Sequence, residues 1–303
     1  MTEIAMEIAG LKFSNPTMLA AGILGMSGLT LRRVADAGAG AIVTKSLGLR
    51  PRIGYVNPTV AQLKHGLLNA MGLPNPGIDD FGEEMMEARS VAVPKIVSLY
   101  GATPKEFATV ARKAFTIGAD ALELNVSCPH TEAVGAEIGQ DPEMVKKIVR
   151  ETKESVKIPI FVKLTPNVTN ISELAQAAEK AGADAVTAIN TVRAMAINIE
   201  TAVPILGNKI GGLSGPAIRP IAIRCVFEIF EAVRIPILGC GGVESWSDAV
   251  ELIQAGASAV QIGTAIATKG LKVFSQVVEG IETFMHRKSI GSVNELVGLS
   301  HRS

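Results

Sequence analysis

Neither sign of charge predominates in this chain, since 29 Lys and Arg residues face 29 Asp and Glu residues. That removes the basic surplus with which proteins hold nucleic acid or an anionic membrane surface. Charged residues make up only 19% and aromatic ones 4%, against 48% hydrophobic residues, a balance that excludes intrinsic disorder. No apolar run approaches the roughly 18–20 residues of a membrane span. The acidic start Met1-Thr-Glu-Ile-Ala-Met-Glu lacks the basic-then-apolar pattern of a secretory signal. Cysteine is scarce too: Cys128, Cys225 and Cys240 form an odd set with no CxxC pair. Such a set argues against a disulfide framework and for a reducing, cytoplasmic setting. The four histidines (His65, His130, His286, His301) show no metal-ligand spacing, so no metal site is expected.

What is present is a short recurring signal. Gly38-Ala-Gly-Ala-Ile-Val, Gly118-Ala-Asp-Ala-Leu-Glu-Leu, Gly182-Ala-Asp-Ala-Val-Thr-Ala and Gly256-Ala-Ser-Ala-Val-Gln-Ile each follow a helical pattern and open an apolar run. Glycine suits the left-handed position that ends a helix, and the residues after it begin a strand. Strands are predicted near 17–21, 41–46, 95–101, 121–127, 160–166, 185–190, 236–242 and 259–265. Helices are predicted near 27–37, 103–117, 142–156, 172–181, 216–233, 246–255 and 270–287. The strands are apolar nearly throughout, as parallel strands covered on both faces should be. Eight strands alternating with helices in 303 residues is the pattern of a single (β/α)8 TIM barrel over 1–303, with a doubly wound open sheet as the competitor. The connections 46–90 and 190–215 exceed what a plain barrel needs. They are read as inserted loops at the C-terminal face of the strands, without regular structure of their own and of the kind that carries function.

Active sites of such barrels lie at the C-terminal strand ends. There Lys45 ends Ala41-Ile-Val-Thr-Lys, and Asn125, Ser127 and Cys128 end Ala121-Leu-Glu-Leu-Asn-Val-Ser-Cys. Lys163 lies in Ile160-Phe-Val-Lys, and Asn190 and Thr191 end Ala185-Val-Thr-Ala-Ile-Asn-Thr. Any one of these can be a satisfied strand-end group. Amides, two lysines and a thiol offered to one face are harder to explain as coincidence. Gly239-Cys-Gly-Gly after strand 7 and Gly263-Thr after strand 8 occupy the positions where these barrels bind phosphate through backbone N–H groups. Either cluster alone also fits a tight turn. Cys128, at a strand tip in a segment running through His130, Gly135 and Gly139, is the candidate reactive thiol. Cys225 sits in an apolar helix and is read as inert, Cys240 as core or the floor of the phosphate loop, and Trp246 as packing.

Taken together, Asn69-Ala-Met-Gly-Leu-Pro-Asn-Pro-Gly, Leu124-Asn-Val-Ser-Cys-Pro, Val162-Lys-Leu-Thr-Pro-Asn-Val-Thr, Ile189-Asn-Thr and Gly211-Gly-Leu-Ser-Gly-Pro-Ala-Ile-Arg-Pro resemble the dihydroorotate dehydrogenase family over nearly the whole chain. Within it the chain is most similar to the soluble class with a cysteine base, in the NAD-dependent form that works with a separate iron–sulfur flavoprotein subunit. Membrane-bound members carry an N-terminal helical extension and a serine base, and neither is expected here. The resemblance implies an FMN-binding barrel that oxidises dihydroorotate to orotate in pyrimidine biosynthesis. It matches Cys128 to the base. It matches Ala21, Lys45, Ser46, Asn125, Lys163, Ile189, Gly215, Gly241, Gly242, Gly263 and Thr264 to flavin-binding positions. Substrate positions fall on Lys45, Asn69, Met71, Gly72, Leu73, Asn125, Asn190 and Thr191. The implied partner carries FAD and a [2Fe–2S] cluster, in a homodimer core or heterotetramer.

Two departures stand out. His130 follows Cys-Pro where many members have Asn, and Ser98 occupies a strand-3 position where a flavin-contacting Asn is common. Cys128-Pro-His also resembles the related barrel of dihydropyrimidine dehydrogenase, whose substrate has no carboxylate. The motif Asn69-Ala-Met-Gly-Leu, a cradle for a carboxylate, favours dihydroorotate. A barrel that binds a phosphorylated ligand without redox chemistry is the alternative from a different class.

Overall fold

The computed structural model describes residues 2–127 and 138–302; Cys128, His130 and Gly135 lie outside the described residues. Eight parallel strands form the central sheet: β1 (Thr17–Leu19), β2 (Ile42–Val43), β3 (Lys95–Leu99), β4 (Ala121–Asn125), β5 (Ile160–Lys163), β6 (Ala185–Ala188), β7 (Ile237–Cys240) and β8 (Ala259–Ile262). Their order is β1-β8-β7-β6-β5-β4-β3-β2. The two end strands meet through a parallel bridge from Met18 to Ala41, where the Leu19 N–H donates to the Ala41 carbonyl at 3.0 Å. The sheet therefore closes on itself, which excludes the open doubly wound alternative.

Helices cover the outside, and local chemistry sets where they begin. Pro104–Thr116 starts at Thr103, whose side chain accepts from the Glu106 N–H. Glu106 reaches back to the Ala102 N–H at 2.9 Å. Trp246–Gln254 opens on a capping box between Ser245 and Asp248. Such caps satisfy donors that the helix itself leaves free. The recurring glycines end the preceding helices as expected, with φ of +100° at Gly38, +95° at Gly118 and Gly182, and +126° at Gly256. Trp246 packs against Phe284, with ring centroids 5.7 Å apart.

Several boundaries differ from the sequence expectation. The ladders end two or three residues earlier, because the polar tips leave the sheet to line its mouth. The stretch expected as one helix over 216–233 is a 3-10 turn, Pro216–Ile218, followed by a helix over Arg219–Ala232. The helix expected from residue 270 starts at Val273, behind an unforeseen short helix over Ala265–Lys269. Another short helix, Gly82–Glu87, and an N-terminal hairpin of Met6–Ile8 with Leu11–Phe13 were likewise not foreseen.

The larger correction concerns the two long connections. They are not structureless. Val60–Leu63, Gly66–Asn69, Ile210–Ser214 and Val192–Met195 pair into one antiparallel sheet of four strands. Leu68, Ala70 and Leu206 form a small core beneath it, separate from the main one. Each connection supplies half of a sheet that neither can build alone, so the pairing is invisible to a local reading. Because these segments leave β2 and β6 at their C-terminal ends, the added sheet stands over the mouth of the barrel.

The seam between β1 and β2 depends on Asn15. Its Oδ1 accepts from the Thr17 N–H at 2.9 Å and the Thr17 hydroxyl at 2.6 Å, and its Nδ2 donates to the Gly38 carbonyl at 2.9 Å. Asn15 and Thr17 are both buried. Asn15→Ala should therefore strand several buried polar groups and cost about 2–3 kcal/mol. Urea unfolding of the purified protein checks this. Asn15→Asp, which keeps the acceptor for Thr17, should lose less.

Candidate functional site

At the mouth, four strand ends are joined by one chain of hydrogen bonds. The Asn190 Nδ2 donates to the Asn125 Oδ1 at 3.1 Å, and the Asn125 Nδ2 donates to the Ser46 Oγ at 3.1 Å. Ser46 and Ser98 share a hydrogen bond at 2.9 Å. The Ser127 N–H also donates to the Asn125 Oδ1, and the Thr191 N–H donates to the Asn190 Oδ1 at 2.8 Å. Every amide in this chain thus has a set orientation, with its remaining hydrogen-bonding capacity free for a ligand. Ser98, which departs from the family pattern, reaches the Ser46 hydroxyl directly.

The added sheet supplies a second wall. The Asn69 Nδ2 donates to the Gly212 carbonyl at 3.2 Å, and a Cβ at Gly212 would collide with the Thr191 side chain. Asn69 and Thr191 therefore flank the same strand. Beyond Asn69 the backbone turns left-handed at Gly72 (φ +72°) and Leu73 (φ +57°). Asn75 pins this turn: its Nδ2 donates to the Leu73 carbonyl and the Tyr100 hydroxyl, both at 2.9 Å. Its Oδ1 accepts from the N–H groups of Gly77 and Gly48.

On the other side of the mouth the glycines after β7 and β8 draw together. Gly242 has φ of +77°, and a Cβ there would lie 2.6 Å from the Arg219 Cβ and 3.0 Å from the Gly215 carbonyl oxygen. A Cβ at Gly215 would stand 3.1 Å from the Thr264 side chain, and one at Gly241 would press on Ala222 and approach Ile189. Gly263 faces Ala20, the neighbour of Ala21. The Thr264 hydroxyl is held by Ser214 at 2.8 Å. Ile189, Gly215, Gly241, Gly242 and Thr264, scattered over the sequence, thus come together at one edge of the mouth, where the glycines let the backbone segments pack closely. That is the donor surface a phosphate needs.

The two lysines occupy different settings. Lys45 is buried, its ammonium has no hydrogen-bond or ion-pair partner among the described residues, and its pKa is lowered by burial. Lys163 is not a free strand-tip group. It lies inside the barrel, where its Nζ donates to the Gln261 Oε1 at 2.8 Å and stands 3.8 Å from the Glu123 Oε1. Burial alone would lower its pKa, but negative charge at Cys240 and Glu123 outweighs that and raises it. Burial raises the Cys240 thiol above its ordinary range, with Lys163 opposing and Glu123 reinforcing the shift. Cys225 is pushed up to about 11, chiefly by burial, as an inert core thiol should be. Cys128 falls outside the described residues. Gly139, at the far end of its segment, is buried in the 3-10 turn Ile138–Gln140.

Glu123, Gln261 and Thr187 were missed by sequence reasoning, although a signal was there. Each is a polar residue within an otherwise apolar strand, and Glu123 lies two positions before Asn125, hence on the same face. Asn75 and Ser214 carried no comparable mark.

Residues 3–285 match the family model for dihydroorotate dehydrogenase. Two archaeal relatives named dihydroorotate dehydrogenase B (NAD(+)), catalytic subunit, are each 50% identical to the chain. The one from Methanocella arvoryzae aligns over 300 residues, covering 99% of this chain and 98% of its own. The one from Pyrococcus furiosus aligns over 299, covering 99% of both. A relative of the same name from Methanothermobacter thermautotrophicus is 51% identical over 297 residues, 97% of both chains. Among solved structures, the Eimeria tenella DHODH in complex with ferulenol superposes with a TM-score of 0.87, covering 99% of this chain and 89% of that one. At 21% identity that likeness speaks for the fold alone. The family model and these relatives show that the chain belongs to the dihydroorotate dehydrogenase family.

Proposed function

We propose that this chain is the catalytic subunit of a cytoplasmic, NAD-linked dihydroorotate dehydrogenase, which oxidises dihydroorotate to orotate for pyrimidine synthesis with FMN as its cofactor. The observation that carries the reading is the pairing of an uncompensated buried cation, Lys45, with a rim of oriented amides beside a backbone cradle. Orotate offers a carboxylate for the cation, and its ring has mixed donor and acceptor edges for Asn69, Asn125 and Asn190. Uracil offers no such anion.

FMN fits the residues present. Gly215, Gly241, Gly242, Gly263 and Thr264 would hold its phosphate, since the close approach of Gly242 to Arg219 and Gly215 leaves no room for a side chain and keeps these backbone segments together. Ala21, Lys45, Ser46, Asn125, Lys163 and Ile189 would be its other contacts. When bound, FMN accepts the hydride that leaves C6 of dihydroorotate. Cys128 takes the proton from C5, which a thiol of ordinary pKa about 8.5 can do once ionised. Lys45 and the backbone of Met71, Gly72 and Leu73 hold the carboxylate, while Asn190 and Thr191 position the ring with Asn69 and Asn125. Lys163 keeps positive charge where the loaded cofactor gains negative charge.

Electrons leave through a separate subunit carrying FAD and a [2Fe–2S] cluster, which passes them to NAD⁺; the assembly is built on a homodimer of this chain in a heterotetramer. Two features support this. Three cysteines cannot supply the four ligands of such a cluster, and no complete GxGxxG follows a strand. No described helix is long and apolar enough to cross a membrane.

The purified protein should carry a yellow flavin that dihydroorotate bleaches anaerobically and dihydrouracil does not. Bleaching by dihydrouracil alone would overturn the substrate, and failure to take up FMN would overturn the redox reading. Cys128→Ala should retain FMN but be reduced roughly 10²-fold more slowly or worse, the usual scale for losing a positioned base. Stopped-flow absorbance measures it.

Lys45 generates a prediction of defined sign. Its folded pKa lies below that of the unfolded chain, so the charged form destabilises the fold at neutral pH. This penalty is relieved as pH rises through the folded pKa toward 10.5. Lys45→Met should therefore raise the melting temperature of the ligand-free protein at pH 7, by a margin that shrinks as pH rises. The same variant should lose orotate affinity tens- to thousands-fold, on the scale of about 2–5 kcal/mol, and lose uracil affinity much less. Equal losses would assign Lys45 to the flavin alone. For the partner, the isolated FMN-loaded chain should not reduce NAD⁺ at catalytic rates with dihydroorotate; if it does, no electron-transfer subunit is needed.

A further inference from the structure

Below the rim, a buried polar cluster occupies the barrel interior. Glu123 on β4 is fully buried, and its Oε2 accepts from the Gln261 Nε2 at 2.6 Å and the Thr187 hydroxyl at 3.0 Å. The Gln261 Oε1 accepts from the Lys163 Nζ at 2.8 Å. The other carboxylate oxygen, Oε1, is the one buried side-chain acceptor without a hydrogen bond among the described residues, and it stands 3.8 Å from that ammonium. Barrels of this kind are usually filled by layers of branched apolar side chains. A buried carboxylate with an unused oxygen is a costly replacement for one of them.

We propose that Glu123 is a positioning residue for Lys163: its carboxylate fixes the Gln261 amide with the oxygen toward Lys163 and keeps the Lys163 ammonium charged beneath the cofactor site. The chemistry of each group leads there. A carboxylate only accepts, so the Gln261 NH₂ must face it and the amide oxygen must face away. Without Glu123 the amide is free to turn and oppose two donors to an ammonium that only donates. Among the described residues the ionisable groups facing Lys163 are Glu123 and Cys240. Of the two, only Glu123 is also tied to Lys163 through the Gln261 amide, which donates to the carboxylate and accepts from the ammonium. Lys45 serves as an internal control. Burial lowers the pKa of both lysines, yet Lys45, which has no carboxylate beside it, ends below its ordinary value and Lys163 above it.

The redox part of this inference rests on the FMN reading; the coupling between Glu123 and Lys163 does not. Its test is a cycle of Glu123→Gln, Lys163→Met and the double variant, read in two ways. In the ligand-free protein each single variant should melt below the parent. The double variant should recover toward it, because each single change leaves one buried charge uncompensated. Losses that simply add would overturn the proposal. If Glu123→Gln does not fold alone, the comparison of Lys163→Met with the double variant still decides: adding Glu123→Gln should then raise the melting point, and a further fall refutes the coupling.

The second readout is the midpoint potential of the FMN-loaded protein between pH 6 and 9. Glu123→Gln should acquire a new titration step, because a fully buried lysine without a counter-charge drops by up to about 3–5 pH units. The potential should fall above that step. The step should be absent from the parent and from the double variant, which has no Lys163 to titrate. A Glu123→Gln profile parallel to the parent's would mean that Lys163 holds its charge unaided. A protein that refuses FMN defeats the proposed function while leaving the melting cycle to judge the pair.

Discussion

A closed parallel barrel has no aqueous interior, so any polar side chain admitted to it must find its partner on another strand. That constraint organises the whole molecule. Closure at the β1–β2 seam brings eight strands into a ring, and inward residues from β4, β5, β6 and β8 then meet as neighbours although up to 138 positions separate Glu123 from Gln261. The polar network inside is a consequence of closure. In an open sheet β1 and β2 would be edges, and the amides of the mouth would not share a rim.

The same ring separates two kinds of electrostatic work. Lys163 is neutralised internally, so its charge is available at little cost before any ligand arrives. Lys45 has no such compensation and carries its burial cost until an anion binds. A preformed charge suits a resident cofactor, whose site should persist through turnover. An uncompensated one suits a ligand that comes and goes, because binding energy is gained only when the anion is present. The added antiparallel sheet completes the arrangement by bringing Asn69 against the strand that flanks Thr191, which closes the wall opposite the glycine cradle.

Much of this was legible in the sequence, for identifiable reasons. The helix-stop glycines and the apolar runs report on local backbone preference, and they located all eight barrel strands. The rim residues were visible because a polar residue at the end of an apolar strand breaks a pattern. The four-stranded sheet was not visible, because Gly66–Asn69 and Ile210–Ser214 pair across more than 140 residues, and the two segments are half-exposed with no strong alternation. Asn75 was likewise silent: its value lies in four contacts made by one amide, and an Asn between two prolines reads as an ordinary turn.

Glu123 shows where pattern reading stops short of chemistry. Its spacing from Asn125 is plain in the sequence, and period-two logic places both on the inner face of β4. What the pattern cannot supply is the identity of the partner, because Lys163, Gln261 and Thr187 each sit on a different strand. Any of them alone reads as a tolerated polar residue. Only their mutual distances turn four isolated exceptions into one circuit. Its polarity runs in a single direction: the ammonium donates to the amide oxygen, the amide nitrogen donates to the carboxylate, and the threonine hydroxyl donates to the same oxygen. Reversing the Gln261 amide would set donor against donor. A buried network with one satisfied direction is rigid in a way that an apolar layer of equal volume is not, and this rigidity fixes the position of the Lys163 charge within the barrel.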